Sequence, residues 1–413
     1  MKISSDDLTG LIATTLNGDR DATGMVKRAL QVMRRHLGLQ VAYVSEFVDG
    51  QSVFREVDAP GLEDLIKPGD SRSLDDVYCR HILAGRLPEL IPDTAREPVA
   101  MAMPITAAVP IGAHVSVPIR LSDGEVYGMF CCLGPNPDTS LNRRDLQMMR
   151  AFADLAAFEI DRQRQRAIAA AERSAQVQAL IDGDGFFIVH QPICALPGRT
   201  IVGYECLSRF SGVPQRTPDV WFAEADEVGL REALEIAAVC KALDSAGSLP
   251  AGTYLSINAS PATIRGDAFQ ALLAAAPADR LVIELTENAT VDDYDALSEA
   301  LRPLRERGFR LAVDDAGAGY ASMQHILQLQ PDIIKLDMNL TRDIDSDPAR
   351  RALATALIAF AHDVGSVIVA EGVETEGELR VLQALGADAV QGYLVGRPLP
   401  LSAPVEEAQA SAA

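Results

Sequence analysis

The chain of 413 residues is poor in basic residues and lacks long apolar runs. Its 37 lysines and arginines face 58 aspartates and glutamates, which gives a formal net charge of −21. Duplex nucleic acid and anionic membranes are bound through basic surface, so we expect neither as a partner. An anionic small substrate stays compatible with this charge, because a bound metal can invert the local field. No apolar run reaches the ~18 residues that a membrane-spanning helix needs.

The sequence also lacks paired cysteines. Six cysteines in a chain of this length, dispersed and without CxxC spacing, predict a reduced, cytoplasmic protein. The opening stretch, MKISSDDLTG, has neither a basic region nor an apolar region, so we expect no signal peptide. The cysteines are Cys79, Cys131, Cys132, Cys194, Cys206 and Cys240.

Helical and strand-like patterns are mixed in residues 20–141, which follow an N-terminal segment, 1–19. A helical pattern over 74–87 separates two pairs of strand-like segments, and a short glycine-containing turn joins each pair. This arrangement predicts an antiparallel sheet with helices, which is an α+β sensor-type domain. The paired segments are 41–48 with 52–57, and 114–121 with 125–134.

Residues 142–181 contain no glycine or proline and predict one long helix. Its heptad-like apolar positions, from Leu146 to Ile160, weaken where glutamine and arginine enter. Two interpretations stay open: a connecting helix, or a parallel two-stranded coiled coil that carries a signal. The long helix leads us to expect a homodimer.

Short apolar runs alternate with helical stretches over residues 182–402, ahead of a flexible tail, 403–413. Eight strand candidates with intervening helices in about 220 residues predict a (β/α)8 TIM-like barrel. The fold class is therefore α/β, with an N-terminal sensor domain joined to the barrel by the long helix. The strand candidates are 186–193, 201–207, 253–258, 281–287, 310–315, 332–337, 366–371 and 388–393.

A polar residue stands at or near the carboxyl end of many of these runs. In a barrel those ends share one mouth, where active sites lie. Five carboxylates and one ammonium would meet there, and two divalent cations would cancel the resulting formal charge of −4. Oxygen donors favour hard ions such as Mg²⁺ or Mn²⁺, and Asp314 is placed to bridge two of them. The residues are Glu205, Asn258, Glu284, Asp314, Asp315, Lys335, Glu371 and Gln391.

A structural role is the alternative to a functional one for the strand-end acids and for two other segments. The acids could cap helices, although their spacing along the whole predicted barrel favours a shared site. Cys79 and His81 could attach a chromophore, but a helical cysteine more often packs in a core. The acidic stretch 343–350 is expected to cap the next helix rather than bind calcium.

The same region resembles the EAL family of cyclic di-GMP phosphodiesterases through eight motifs in the family's order. ECL with Arg209 stands where EAL-x-R is usual, and DDAGAGYAS resembles DDFGTGYSS. Cys206, Ala316 and Ala318 depart from the usual residues, which puts the packing of the loop after the paired acids in question. The other motifs are HQPI (190–193), LSINAS (255–260), ELTE (284–287), IIKLD (333–337), AEGVET (370–375) and QGYLVGRP (391–398).

The resemblance implies a role for each matching residue. Lys335 would orient or activate the attacking water, and Glu371 would act as general base or as a ligand through water. Glu287 would anchor the loop that begins at Asp315. The implied metal ligands are Glu205, Asn258, Glu284, Asp314 and Asp315, and Gln191, Arg209 and Gln391 would contact the dinucleotide.

Residues 20 to about 165 resemble a GAF domain, whose members bind varied small ligands or only dimerise. The first hypothesis is therefore a two-metal phosphodiesterase that converts cyclic di-GMP to linear pGpG under GAF control. The second is a weak or inactive receptor that binds the dinucleotide and signals through the helix. A protein scaffold is the third, and Lys335, Glu371 and Gln391 argue against it because a scaffold needs none of them.

Overall fold

The structure, a computed structural model, describes residues 22–212, 214–285, 291–317 and 320–401. The chain divides into two compact units, Met1–Ala169 and Ala170–Ala413. Among the described residues, no helix is both long enough and apolar enough to cross a bilayer.

The first unit contains a six-stranded sheet in the order β3-β2-β1-β6-β5-β4. Both predicted hairpins are confirmed, because β1 pairs with β2 and β5 with β6, each antiparallel. Asp49 and Gly50, both with positive φ, make the turn between the first two strands. The strands are β1 (Val41–Val48), β2 (Gln51–Asp58), β3 (Ser71–Ser73), β4 (Leu90–Ile91), β5 (Ala113–Arg120) and β6 (Val126–Gly134).

The two faces of this sheet are covered differently. Adjacent Cys131 and Cys132 point to opposite faces and join separate apolar clusters, as alternation along a strand requires. The predicted helix over 74–87 is only six residues long, since Gly85, with a φ of 68°, turns the chain away. The helices are α1 (Ala22–Leu37), α2 (Tyr78–Leu83), α3 (Pro98–Met101) and α4 (Pro104–Ala108).

A 40-residue helix, α5 (Arg143–Asp182), confirms the prediction of one long helix. Every residue from 163 to 172 is exposed, including Ile168. The helix becomes buried again at Val177 and Leu180. Pairing of this helix with a second copy stays a prediction.

The second unit is a closed barrel of eight strands, which confirms the predicted fold. The strands follow the eight apolar runs, and β10, β12 and β14 are buried on both faces, as is typical of strands inside a ring of helices. They are β7 (Phe186–Ala195), β8 (Thr200–Phe210), β9 (Tyr254–Ala259), β10 (Leu281–Leu285), β11 (Arg310–Ala316), β12 (Ile333–Leu336), β13 (Val367–Ala370) and β14 (Ala389–Gln391).

One strand departs from the expected all-parallel arrangement. β7 runs antiparallel to both of its neighbours, β8 and β14. No helix separates β7 from β8, because a tight turn with Gly198 at a φ of 114° joins them directly. The reversed strand still brings Gln191 level with Glu205 in the pairing register.

Helices surround the barrel and complete its core. Asp347 caps α13 by accepting hydrogen bonds from two backbone amides, as predicted for the acidic stretch 343–350. Thr375 and Glu378 form a capping box at the start of α14. The helices are α6 (Pro218–Glu227), α7 (Arg231–Asp244), α8 (Pro261–Arg265), α9 (Asp267–Ala274), α10 (Tyr294–Glu306), α11 (Tyr320–Leu329), α12 (Met338–Thr341), α13 (Pro348–Asp363) and α14 (Glu376–Leu385).

The barrel interior is filled in layers. An apolar layer that includes Ile193, Tyr254 and Ile333 packs across the barrel. Residues two positions further along several of these strands, such as Ser256 and Lys335, are polar and also buried. Side chains two apart on a strand share a face, so a polar layer lies directly above the apolar one.

Candidate active site

Lys335 lies at the centre of the polar layer and is 2% exposed. Its Nζ atom is 2.5 Å from Glu284 Oε1 and 2.6 Å from Glu371 Oε1. The same atom is 3.2 Å from Asp314 Oδ1 and 3.5 Å from Glu205 Oε2. One ammonium therefore contacts four carboxylates that come from four different strands or strand ends, as their positions in the predicted barrel require.

Burial and charge act in opposite directions on these groups. Burial raises the pKa of Glu284 and of Glu371 well above the ordinary value, and the nearby Lys335 ammonium only partly offsets it. Burial would also raise the pKa of Asp314, but the Lys335 ammonium outweighs it and the pKa is lowered. The surrounding carboxylates overcome desolvation and raise the pKa of Lys335 well above its usual range. These shifts favour the charged forms of Lys335 and Asp314, whereas burial works against the charged forms of Glu284 and Glu371.

A local irregularity in β11 presents two adjacent acids to the same side. Val313 pairs with Ile334 and Ala316 with Leu336, so three residue steps on β11 oppose two on β12. The extra residue makes a bulge, and Asp315 takes the left-handed φ of 51° there. Bulges of this kind change the direction of side chains at the rims of barrels.

Asp314, Asp315 and Glu371 form a group that could hold a cation. Each offers one carboxylate oxygen, and these oxygens lie within 4.8 Å of one another. Asp314 Oδ1 is buried, and its contact with Lys335 lacks the alignment of a hydrogen bond, so it keeps acceptor capacity. An all-carboxylate group with a free acceptor fits a hard divalent ion such as Mg²⁺ or Mn²⁺.

The other predicted ligands lie beside this group but are held by protein donors. Asn258 and Glu284 are partners in the β9–β10 register, and Asn258 Nδ2 donates to Glu205 Oε1 at 3.3 Å. Gln391 Nε2 donates to Glu205 Oε2 at 2.5 Å. Ser256 Oγ donates to Glu284 Oε2 at 2.7 Å. All five predicted ligands thus belong to one continuous site.

The three predicted substrate contacts are placed differently from one another. Gln191 and Gln391 are buried and joined by a 3.1 Å hydrogen bond between their side chains. Arg209 lies on the open side, where it lines a pocket of about 660 Å³ together with Asn258, Asp314 and Asp315. A pocket of this size is sufficient for a small-molecule ligand.

The same pocket has walls that the sequence did not single out. Pro218, Asp219 and Phe222 of α6 contribute one side, and Arg231 of α7 contributes another. These helices follow β8, and helical periodicity alone gives no indication that they reach the mouth. The buried hydroxyl of Ser256 was also missed, although its place two residues before Asn258 puts both on one face of β9.

The departures from the family motifs are only partly visible. Cys206 is buried, and burial raises the pKa of its thiol well above the usual range, so it is a packing residue rather than a nucleophile. Ala316 is fully buried. Glu287 and Ala318 lie outside the described residues.

Cys79 is buried in the first unit, where it packs among apolar side chains.

Comparison with known proteins gives two domain matches. A profile of the EAL domain matches residues 174–398, and a profile of the GAF domain matches residues 19–161.

Named relatives resemble about half of the chain. Cyclic di-GMP phosphodiesterase PA2567 of Pseudomonas aeruginosa is 32% identical over 240 residues, which cover 54% of this chain and 40% of that protein. The probable cyclic di-GMP phosphodiesterase PdeD of Escherichia coli is 29% identical over 225 residues, which cover 52% and 42%. The chain thus spans less than half the length of these relatives.

A solved structure supports the fold. The EAL domain of Xanthomonas citri FimX, in complex with c-diGMP, aligns with a TM-score of 0.52 and 21% identity, covering 58% of this chain and 99% of that one. Because the EAL profile matches more than half of the residues, the chain belongs to the EAL domain family.

Proposed function

We propose that residues 182–402 form a phosphodiesterase that hydrolyses cyclic di-GMP to linear pGpG. The observation that carries this proposal is the convergence of Glu205, Glu284, Asp314 and Glu371 on the buried Lys335. Such a concentration of acids is costly unless cations neutralise it. The pocket beside it, with Arg209 on its wall, suits an anionic ligand.

Two divalent cations, Mg²⁺ or Mn²⁺, would be held by Glu205, Asn258, Glu284, Asp314 and Asp315. Bound there, they would polarise the phosphodiester and lower the pKa of water. The acceptor capacity at Asp314 Oδ1 and the oxygen-only donor set support this assignment.

The chain's own residues would supply orientation and proton transfer. Lys335 would fix the attacking water through its ammonium, and Glu371 would accept the proton of that water at its carboxylate. The water oxygen forms the new bond to phosphorus, the bond from phosphorus to O3′ breaks, and O3′ takes a proton from solvent, to which Glu371 returns the proton that it accepted. Arg209, with Gln191 and Gln391, would hold the dinucleotide, and Glu287 would anchor the loop after Asp315.

Residues 20–141 would act as the sensor that regulates this activity, and 142–181 as the signalling helix of a homodimer. The last turns of α5 support such control, because Val177 and Leu180 pack with Trp221 of α6. Phe222, the next residue of that helix, lines the active-site pocket. Movement of the helix end would therefore reach the substrate pocket through one packed element.

The sensor would take a small, mostly apolar ligand. A pocket of about 380 Å³ in the first unit is lined by Tyr43, Phe54, Tyr78 and His114. His114 is 2% exposed, and its Nδ1 atom has no hydrogen-bond partner.

The six free cysteines, all within the described ranges, support a cytoplasmic protein.

The test is incubation of the purified chain with cyclic di-GMP and either Mg²⁺ or Mn²⁺, with and without residues 1–169, a truncation that keeps Val177 and Leu180 in the second unit. We expect metal-dependent release of pGpG and its loss in Glu205→Ala. No pGpG with either metal would contradict the phosphodiesterase. Tight binding without turnover, insensitive to Glu205→Ala, would instead support the receptor that the altered loop suggests.

A further inference from the structure

Ser256 occupies an unusual place inside the barrel. On β9, Leu255 and Ile257 face the surrounding helices, whereas Tyr254 belongs to the apolar interior layer. Side chains two apart share a face, so Ser256 lies between Tyr254 and the rim residue Asn258. It is 2% exposed, and a buried hydroxyl at that depth needs a hydrogen-bond partner.

The partner of this hydroxyl is a carboxylate of the active site. Ser256 Oγ donates to Glu284 Oε2 at 2.7 Å, while Lys335 Nζ lies 2.5 Å from Glu284 Oε1. Each oxygen of a fully buried carboxylate is thus fixed by a different donor. Without the hydroxyl, only the contact of Lys335 with Oε1 restrains the carboxylate plane, because the last side-chain torsion of glutamate is intrinsically broad.

We propose that Ser256 is a positioning residue that holds Glu284 in the orientation needed to bind a divalent cation. This inference rests on the proposed metal-dependent function. Ser256 touches neither substrate nor cation in this role, and it acts only through Glu284. Residues that orient a metal-binding carboxylate in this way usually change metal affinity about 10–100-fold when they are replaced.

The experiment compares Ser256→Ala with Ser366→Ala in the full chain. Ser366 is a matched control, because its buried Oγ donates at 2.7 Å to the Pro331 carbonyl, away from the acids. The first readout is the Mn²⁺ binding midpoint, obtained by fitting the logarithmic rise in unfolding temperature with Mn²⁺ concentration in the absence of substrate. The second is the Mn²⁺ concentration for half-maximal hydrolysis, together with KM for cyclic di-GMP at saturating metal.

We expect Ser256→Ala to raise both Mn²⁺ midpoints about tenfold with KM unchanged. Ser366→Ala should leave both midpoints at the wild-type value, and Ser256→Thr, which keeps the hydroxyl, should restore them. Wild-type midpoints in Ser256→Ala would overturn the proposal. If that variant does not fold, Ser256→Cys replaces it, because a thiol is a weak donor and should still shift the midpoints. The thermal readout tests the role of Ser256 independently of hydrolysis, because it measures Mn²⁺ binding without substrate. If the wild-type chain binds Mn²⁺ but does not hydrolyse cyclic di-GMP, that result contradicts the proposed activity and leaves the role of Ser256 to the binding data.

Discussion

Replacing Lys335 with methionine should strongly destabilise the metal-free barrel. The ammonium is 2% exposed, and its contacts at 2.5 and 2.6 Å to Glu284 and Glu371 are the shortest of four. Removing one partner of a buried ion pair costs about 3–5 kcal/mol, because the remaining charge stays buried without compensation. Since this ammonium serves four carboxylates, we expect about 5 kcal/mol. For a domain of this size that corresponds to a fall of about 10–20 °C in unfolding temperature.

The assay is thermal unfolding of wild type, Lys335→Met and Lys241→Met in the presence of a chelator. Lys241 is a suitable control, because its partner Asp184 is fully solvent-accessible and 3.6 Å away. Such an exposed pair contributes little, so Lys241→Met should stay close to wild type. Adding Mn²⁺ should raise the unfolding temperature of Lys335→Met more than that of wild type, because no ammonium then competes for the carboxylates. Equal unfolding temperatures for the two variants would refute the electrostatic role assigned to Lys335.

Three further predictions follow from the site and its supports. Asp314→Asn should abolish pGpG release by removing a carboxylate charge that would help to hold the two proposed cations, and wild-type rates would contradict the two-metal arrangement. Three backbone amides lower the pKa of Glu378 in the folded state, although burial alone would raise it. The charged carboxylate therefore stabilises the fold above pH 4.5, the unfolded-state pKa, and this contribution is lost as the pH falls through the lower folded-state pKa. Glu378→Gln should therefore cost about 2 kcal/mol at pH 7 in chemical denaturation and converge with wild type in acid, and a pH-independent difference would argue against this account. Val177→Ala should loosen the end of α5 from α6 and change KM without moving the Mn²⁺ midpoint, and an unchanged KM would contradict coupling through that helix.

The fold was largely predictable because the buried strands of the barrel correspond to short apolar runs in the sequence. Each of the eight runs became a barrel strand, and the polar residues at their ends met at one mouth. The direction of β7 was not predictable in the same way, because an apolar run has the same sequence pattern whether its strand pairs in parallel or antiparallel. The decisive feature is the short turn at Gly198, which leaves no room for a crossover helix.

The site was predictable in its membership but not in its internal contacts. The acids could be identified from their positions at strand ends, whereas the central place of Lys335 depends on how four strands converge. The bulge that turns Asp314 and Asp315 to one side arises from pairing with β12, so it has no signature in the local sequence. Ser256 was missed because a single serine in a strand carries no distinctive pattern.

Closure of the ring between its first and last strands also determines when the candidate site can assemble during synthesis. β7 completes the ring by pairing with β14, and the hydrogen bond between Gln191 and Gln391 joins residues 200 positions apart. Closing so long a loop is slow, and it must wait until the last strand has left the ribosome. A nascent chain that ends before residue 389 therefore carries all of the clustered acids and their lysine in an unsealed ring, so the candidate site stays incomplete until the whole domain has been translated.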